Sequence, residues 1–175
     1  MFPHSVELFN IQGACNASLG QYGEAIESYE EAIRIKPDHA EAYNNKGFSH
    51  SNRGEFDIAV DCHRQAIKLN PNYSEAYLNL GVALNNSQDI EGAIENYGLA
   101  LKFRPDYAEA YFNLAMCLNV EGDLKESIIN YKYAIKFSPE YFEAYFNMGI
   151  ALNNIGDFET AINVYKQAIN LQPYN

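Results

Sequence analysis

Four asparagines stand 34 residues apart: Asn45, Asn79, Asn113 and Asn147. Each side-chain amide offers one acceptor and two donors. It can pair with the C=O and the N–H of an extended peptide backbone together. Helices packed side by side lie roughly 8–10 Å apart, and an extended chain rises about 3.3 Å per residue. A row of such amides therefore suits a grip on every third residue or so of a bound strand. The other reading of the row is a solvated polar stripe copied by repeat duplication.

The same period runs through the whole sequence. Pro3, Pro37, Pro71, Pro105, Pro139 and Pro173 are each 34 residues after the last. That regularity excludes a single-core globular domain and implies a repeat array. Five units follow: 6–39, 40–73, 74–107, 108–141 and 142–175, with residues 1–5 as the tail of a preceding unit or an N-terminal extension. Positions are counted below from Val6, Ala40, Ser74, Ala108 and Phe142.

Large and small apolar residues recur within each unit at helical spacing. Position 4 is Phe9, Tyr43, Tyr77, Tyr111 and Tyr145; position 8 is Gly13, Gly47, Gly81, Ala115 and Gly149. Position 24 is Tyr29, His63, Tyr97, Tyr131 and Tyr165, and position 27 is always alanine. Gly20, Gly54, Gly122 and Gly156 mark a turn in mid-unit, with Gln88 as the exception. Each unit therefore reads as two antiparallel helices, A and B. Small residues let them approach, and aromatics fill the gaps between layers. Proline ends helix B. Asp38, Asn72 and Asp106 sit three before Glu41, Glu75 and Glu109, a capping-box spacing for the next helix A.

This pattern resembles the tetratricopeptide repeat family over essentially the entire chain. The likeness rests on the period of 34, Gly or Ala at position 8, Ala at 20 and 27, an aromatic at 24 and Pro at 32. It departs at position 4, where the family often has Trp. The resemblance implies an all-α, right-handed superhelical solenoid with helix A lining the concave side. The stretches Ala76-Tyr77-Leu78-Asn79-Leu80 and Ala110-Tyr111-Phe112-Asn113-Leu114 also resemble the asparagine-ladder repeats of O-linked N-acetylglucosamine transferases, which grip peptide backbones.

If helix A lines a groove, positions 2, 6, 9 and 13 share its open face, with position 5 beside them. The candidate peptide-binding residues are then Asn45, Asn79, Asn113, Asn147, Glu75, Glu109, Asn86, Met116, and Leu78, Phe112 and Phe146 at position 5. Position 2 is glutamate in every unit, either an acidic rail for a basic ligand or a helix-start residue. Position 13 asparagines such as Asn86 serve equally well to end helix A. Leu78, Phe112 and Phe146 make the later groove more apolar, or else pack inside the stack.

The net charge is −11. That disfavours nucleic acid and anionic membrane surfaces and favours a neutral or basic partner. No apolar run approaches the roughly 20 residues of a membrane helix. Cys15, Cys62 and Cys117 are odd in number and widely spaced, which fits a reducing compartment, with cytoplasm as the default. His50 and His63 face each other across unit two with Cys62 nearby, and packing explains them better than zinc. No phosphate-binding loop, nucleophile elbow or H-E-x-x-H occurs, so neither catalytic residues nor a cofactor or metal are expected.

The ends carry an expectation too. Met1-Phe2-Pro3 overlays the tail of a unit, and the last unit stops at its final position with no polar capping helix after it. A final helix left open would expose Ile162, Tyr165 and Ile169. The leading functional expectation is a noncatalytic protein–protein interaction scaffold holding an extended, neutral or basic peptide at about micromolar affinity, near −8 kcal/mol. The alternatives are the substrate-recruiting segment of a larger enzyme, such as a glycosyltransferase, and a scaffold that self-assembles through its ends.

Overall fold

A computed structural model describes residues 5–172; the expectations placed on Met1-Phe2-Pro3 and Pro173 lie outside these residues. The described residues form ten helices. They are α1 (Val6–Ser18), α2 (Tyr22–Ile35), α3 (Ala40–Asn52), α4 (Phe56–Leu69), α5 (Ser74–Asn86), α6 (Ile90–Phe103), α7 (Ala108–Glu121), α8 (Leu124–Phe137), α9 (Phe142–Asn154) and α10 (Phe158–Leu171). The odd-numbered helices begin at the first position of each repeat, so the period read from the prolines is the period of the fold. The helices gather into two compact units, Met1–Gly92 and Ala93–Asn175. In the first, α1 pairs with α2 and α3 with α4, while α2 packs on α3 and α4 on α5. In the second, α7 pairs with α8, α9 with α10, and α8 packs on α9.

Local chemistry sets these hairpins. Gly20, Gly54, Gly122 and Gly156 all hold a left-handed φ of 74–85°, which glycine enters without a Cβ clash. Gln88 is forced to φ 70° in the same turn and carries the strain that glycine avoids elsewhere. Beyond the turn, the Asp89 carboxylate accepts from Gly92 N–H at 2.9 Å, and Asp157 accepts from Thr160 N–H at 3.2 Å, capping α6 and α10. Position 8 is small because the helix-B ring leaves no room. A Cβ on Gly13 would lie 2.5 Å from the Tyr29 ring, and one on Gly47 would lie 2.8 Å from His63. Tyr29 and Tyr131 are fully buried and their phenols are pushed up to about 12, chiefly by burial.

The capping boxes expected at Asp38, Asn72 and Asp106 are corrected by one residue. The caps are His39, Tyr73 and Tyr107. Backbone bonds from His39 to Lys36, Tyr73 to Asn70 and Tyr107 to Arg104, at 3.1–3.2 Å, close a tight turn over each proline. That turn delays the helix start and leaves the Asp or Asn outside it. Only His39 among these three caps with its side chain, Nδ1 accepting from Ala42 N–H at 3.2 Å. The position-2 glutamates therefore have no capping-box partner. Each gains from the helix dipole, about 0.3–1 kcal/mol, and two accept side-chain bonds as well, Glu7 from Ser5 Oγ at 2.7 Å and Glu41 from Asn10 Nδ2 at 2.8 Å.

Candidate functional site

The outward face of the A helices can be assembled residue by residue within each unit. In the first unit α1, α3 and α5 lie side by side. Glu41, Phe48 and Asn52 are exposed on α3, and Glu75 and Asn86 on α5. Asn45 and Asn79 are half-buried between helices. Asn45 Nδ2 donates to Asn10 Oδ1 at 3.3 Å, and Asn79 Nδ2 donates to Asn44 Oδ1 at 3.2 Å. Each amide thus spends one donor on the position-5 asparagine of the preceding repeat, a link that fixes its orientation. Asn86 Nδ2 instead bonds its own helix at Val82 C=O, 2.8 Å, as Asn52 does to Phe48 C=O at 2.9 Å. These two act first on their own backbone.

In the second unit α7 and α9 are neighbours. Glu109, Met116 and Val120 are exposed on α7, and Glu143, Phe146 and Asn154 on α9, with Asn113 and Asn147 half-buried. Asn147 Nδ2 donates to Glu143 C=O at 2.8 Å. An open hollow of about 460 Å3 lies at the start of these helices, lined by Tyr107, Tyr141, Glu109, Glu140 and Glu143 among others. Burial pushes the Tyr141 phenol up to about 12, and the Glu109 and Glu143 carboxylates push the same way. The Arg104 guanidinium lies over the Tyr107 ring at 4.3 Å, a cation on an aromatic face beside these acids.

Position 5 is the part of the expected groove that the fold reassigns. Leu78 is only 3% exposed and belongs to the core, so its side chain is withdrawn from the list of groove contacts. Asn10 and Asn44 are buried as well. Phe112 is half-buried, with its ring 4.8 Å from Tyr141 and 5.9 Å from Tyr131. Phe146 alone at this position is openly exposed. The reason is helical phase. Positions 5 and 8 are three apart and share a side, and position 8 faces helix B.

A buried polar network in the first unit was not anticipated. Asn44 Oδ1 lies 2.9 Å from His63 Nδ1, and Asn44 Nδ2 lies 3.5 Å from the Tyr73 hydroxyl. Since Oδ1 accepts, His63 donates from Nδ1, and its Nε2 is buried without a partner. Burial holds this imidazole down to about 4. The signal was present as two polar exceptions in one repeat, Asn44 at position 5 and His63 at position 24. His50 has a separate partner, with Nδ1 2.6 Å from Glu55 Oε2.

Comparison with known sequences decides the family. A TPR repeat profile matches residues 17–52, 84–116 and 120–156, and tetratricopeptide repeat profiles match 40–73, 142–175 and 64–95. The chain belongs to the tetratricopeptide repeat family. No curated protein matches it in sequence. Solved structures share the fold. MamA is 23% identical with a TM-score of 0.82, covering 96% of this chain and 92% of that one. YrrB, a TPR protein with an unusual peptide-binding site, is 21% identical with a TM-score of 0.76, covering 98% and 89%. PilF of Pseudomonas aeruginosa is 15% identical with a TM-score of 0.90, covering 97% and 78%. The tetratricopeptide architecture makes this chain a protein-interaction scaffold. No helix among the described residues is long and apolar enough to cross a membrane.

Proposed function

We propose that this tetratricopeptide protein is a noncatalytic scaffold that holds an extended, neutral or basic peptide along the outward face of its A helices. The observation that carries the reading is the α7–α9 face. Met116, Val120 and Phe146 are exposed there beside half-buried Asn113 and Asn147. Apolar groups supply burial for an anchor side chain at about 25 cal/mol per Å2. Amides supply backbone pairing, each bond worth about 0.5–1.5 kcal/mol net. The hollow lined by Tyr107, Tyr141, Glu109 and Glu143 suits a Lys or Arg side chain, which meets aromatic faces and carboxylates together. The likeness to YrrB supports a peptide as the ligand class. Asn45, Asn79 and Phe48 repeat the same pattern on the first unit.

Selection of the chain against a displayed library of random unstructured peptides tests this reading. Recovered peptides are expected to pair an apolar residue with Lys or Arg and to carry no net negative charge. Replacing Met116 and Phe146 together with alanine is expected to weaken them at least tenfold, about 1.4 kcal/mol. Recovery of acidic peptides, or affinities unmoved by that double variant, contradicts it.

A further inference from the structure

We propose that the outward face of α8 is a second docking surface, suited to an acidic amphipathic helix of a partner protein. The other repeats supply the comparison. Position 18, in the first turn of helix B, is Gly23, Asp57, Glu91 and Glu159 elsewhere and Lys125 in α8. Position 22 is Glu27, Asp61, Glu95 and Asn163 elsewhere and Ile129 in α8. The fold favours neither change. A cation in the first turn opposes the helix dipole, and Ile129 is 43% exposed. Tyr133 is 42% exposed at a position that holds Glu31, Gln65, Leu99 and Gln167 in the other repeats.

These residues fall into two stripes. α8 packs on α7 and α9 and buries Ser127, Ile128, Tyr131 and Ala134. Lys125, Lys132 and Lys136 run along its exposed side, and Ile129, Tyr133 and Phe137 run beside them at intervals of four. The Tyr111 ring of α7 stacks on Tyr133 and Phe137, with centroids 5.0 and 5.7 Å apart, which fixes the aromatic half of the face. Lys136 Nζ lies 5.2 Å from the Phe137 centroid and joins the two stripes. No carboxylate among the described residues pairs with any of the three lysines. Helix α8 carries those three against one glutamate, Glu126, whereas α2 carries four glutamates against Arg34.

Charge and spacing define the occupant. A lysine row beside an apolar row calls for a helix with the matching rows, carboxylates along one and aliphatic side chains along the next, over about 16 Å. In a chain of net charge −11 this local reversal draws an acidic partner to one place and repels it elsewhere. An unstructured acidic peptide would have to order first, so it gains less here than a helix already folded in its partner. The α8 face shares no residue with the α7–α9 face, and the two can be occupied together. The chain then bridges an acidic helix and a basic peptide.

The probe is a fluorescent peptide of about three turns, locked as a helix by a hydrocarbon staple, with leucines in one row and glutamates in the next. Its twin carries lysine in place of every glutamate. Fluorescence anisotropy with the full chain is expected to show the glutamate helix bound about tenfold more tightly than the twin. Lys125→Glu with Lys132→Glu is expected to invert that preference. Ile129→Asn is expected to weaken the glutamate helix about tenfold, which charge attraction alone would not do. Other repeats carry each of these replacements at the same register, as Glu91, Glu30 and Asn163, so the fold accepts them. A glutamate helix held no more tightly than its twin overturns the proposal, and so does one indifferent to Ile129→Asn. Self-association of the wild-type chain that the lysine reversals abolish would assign the face to a second copy and overturn it as well. Binding to phosphatidylserine vesicles without capture of the glutamate helix would do the same.

Discussion

Replacing Tyr131 with alanine will lower the stability of the chain by about 3–5 kcal/mol. The Tyr131 ring is among the largest fully buried side chains of the second unit, in one core cluster with Ala115, Ile128, Ala134 and Met148. Phe112 packs against it at 5.9 Å. These neighbours sit on helices whose own hydrogen bonds hold them in place. Ser127 Oγ also donates to Ala115 C=O at 2.8 Å across the α7–α8 pair, which resists collapse into the space vacated. The cavity therefore persists and its cost adds to the lost burial. Alanine at Met116, on the exposed face of α7, is expected to cost under about 1 kcal/mol. Urea midpoints of the two variants decide the matter. Equal midpoints would mean that the ring does not carry the unit.

The second large effect is acid sensitivity from His63. Its imidazole is held down to about 4 by burial, while an unfolded histidine titrates near 6.5. Between those values the unfolded chain binds the proton and the folded chain does not, so stability rises with pH across that window. The full contribution is present above pH ~6.5 and falls by about 1.4 kcal/mol per unit below it, about 3 kcal/mol in all by pH ~4. His63→Tyr removes the group. The replacement fits, because Tyr29 occupies the same position in the first repeat, packed against Gly13 as His63 is against Gly47. Carboxylates titrate in both proteins, so the difference between them isolates the histidine. Urea midpoints at neutral pH and near pH 4.5 are expected to fall further for the wild type than for His63→Tyr. Parallel losses would contradict a buried neutral imidazole.

Much of the fold was legible because backbone chemistry wrote it at fixed intervals. Proline after helix B, glycine in the mid-unit turn and alanine at position 27 each answer a steric demand that does not depend on distant neighbours. The starts of α3, α5, α7 and α9 follow from them. The misplaced caps have a different origin. The Asp-to-Glu spacing is a true sequence signal, but the backbone turn closed by His39, Tyr73 and Tyr107 N–H over each proline moves the helix start one residue on, which spacing does not encode. Position 5 failed for a related reason. Asn10 and Asn44 look like surface residues when taken singly. They are buried because Asn10 Nδ2 finds Glu41 Oε1 at 2.8 Å, and Asn44 finds His63 and Tyr73. Only pairing polar exceptions across repeats reveals that. Exposure at positions 2 and 13 was legible in every repeat, since it follows from helical phase, whereas the position-6 asparagines Asn45, Asn79, Asn113 and Asn147 are half-buried, as are Val82 and Ile150 at position 9.

The central claim is that the α7–α9 face receives a peptide. Amide and methyl NMR spectra of the labelled chain, titrated with a peptide recovered from the selection above, test it most directly. The account predicts that the side-chain NH2 signals of Asn113 and Asn147 and the methyl signal of Met116 shift first and saturate together. Shifts confined to α8 and the outer face of α10, with those three signals unmoved, would contradict it.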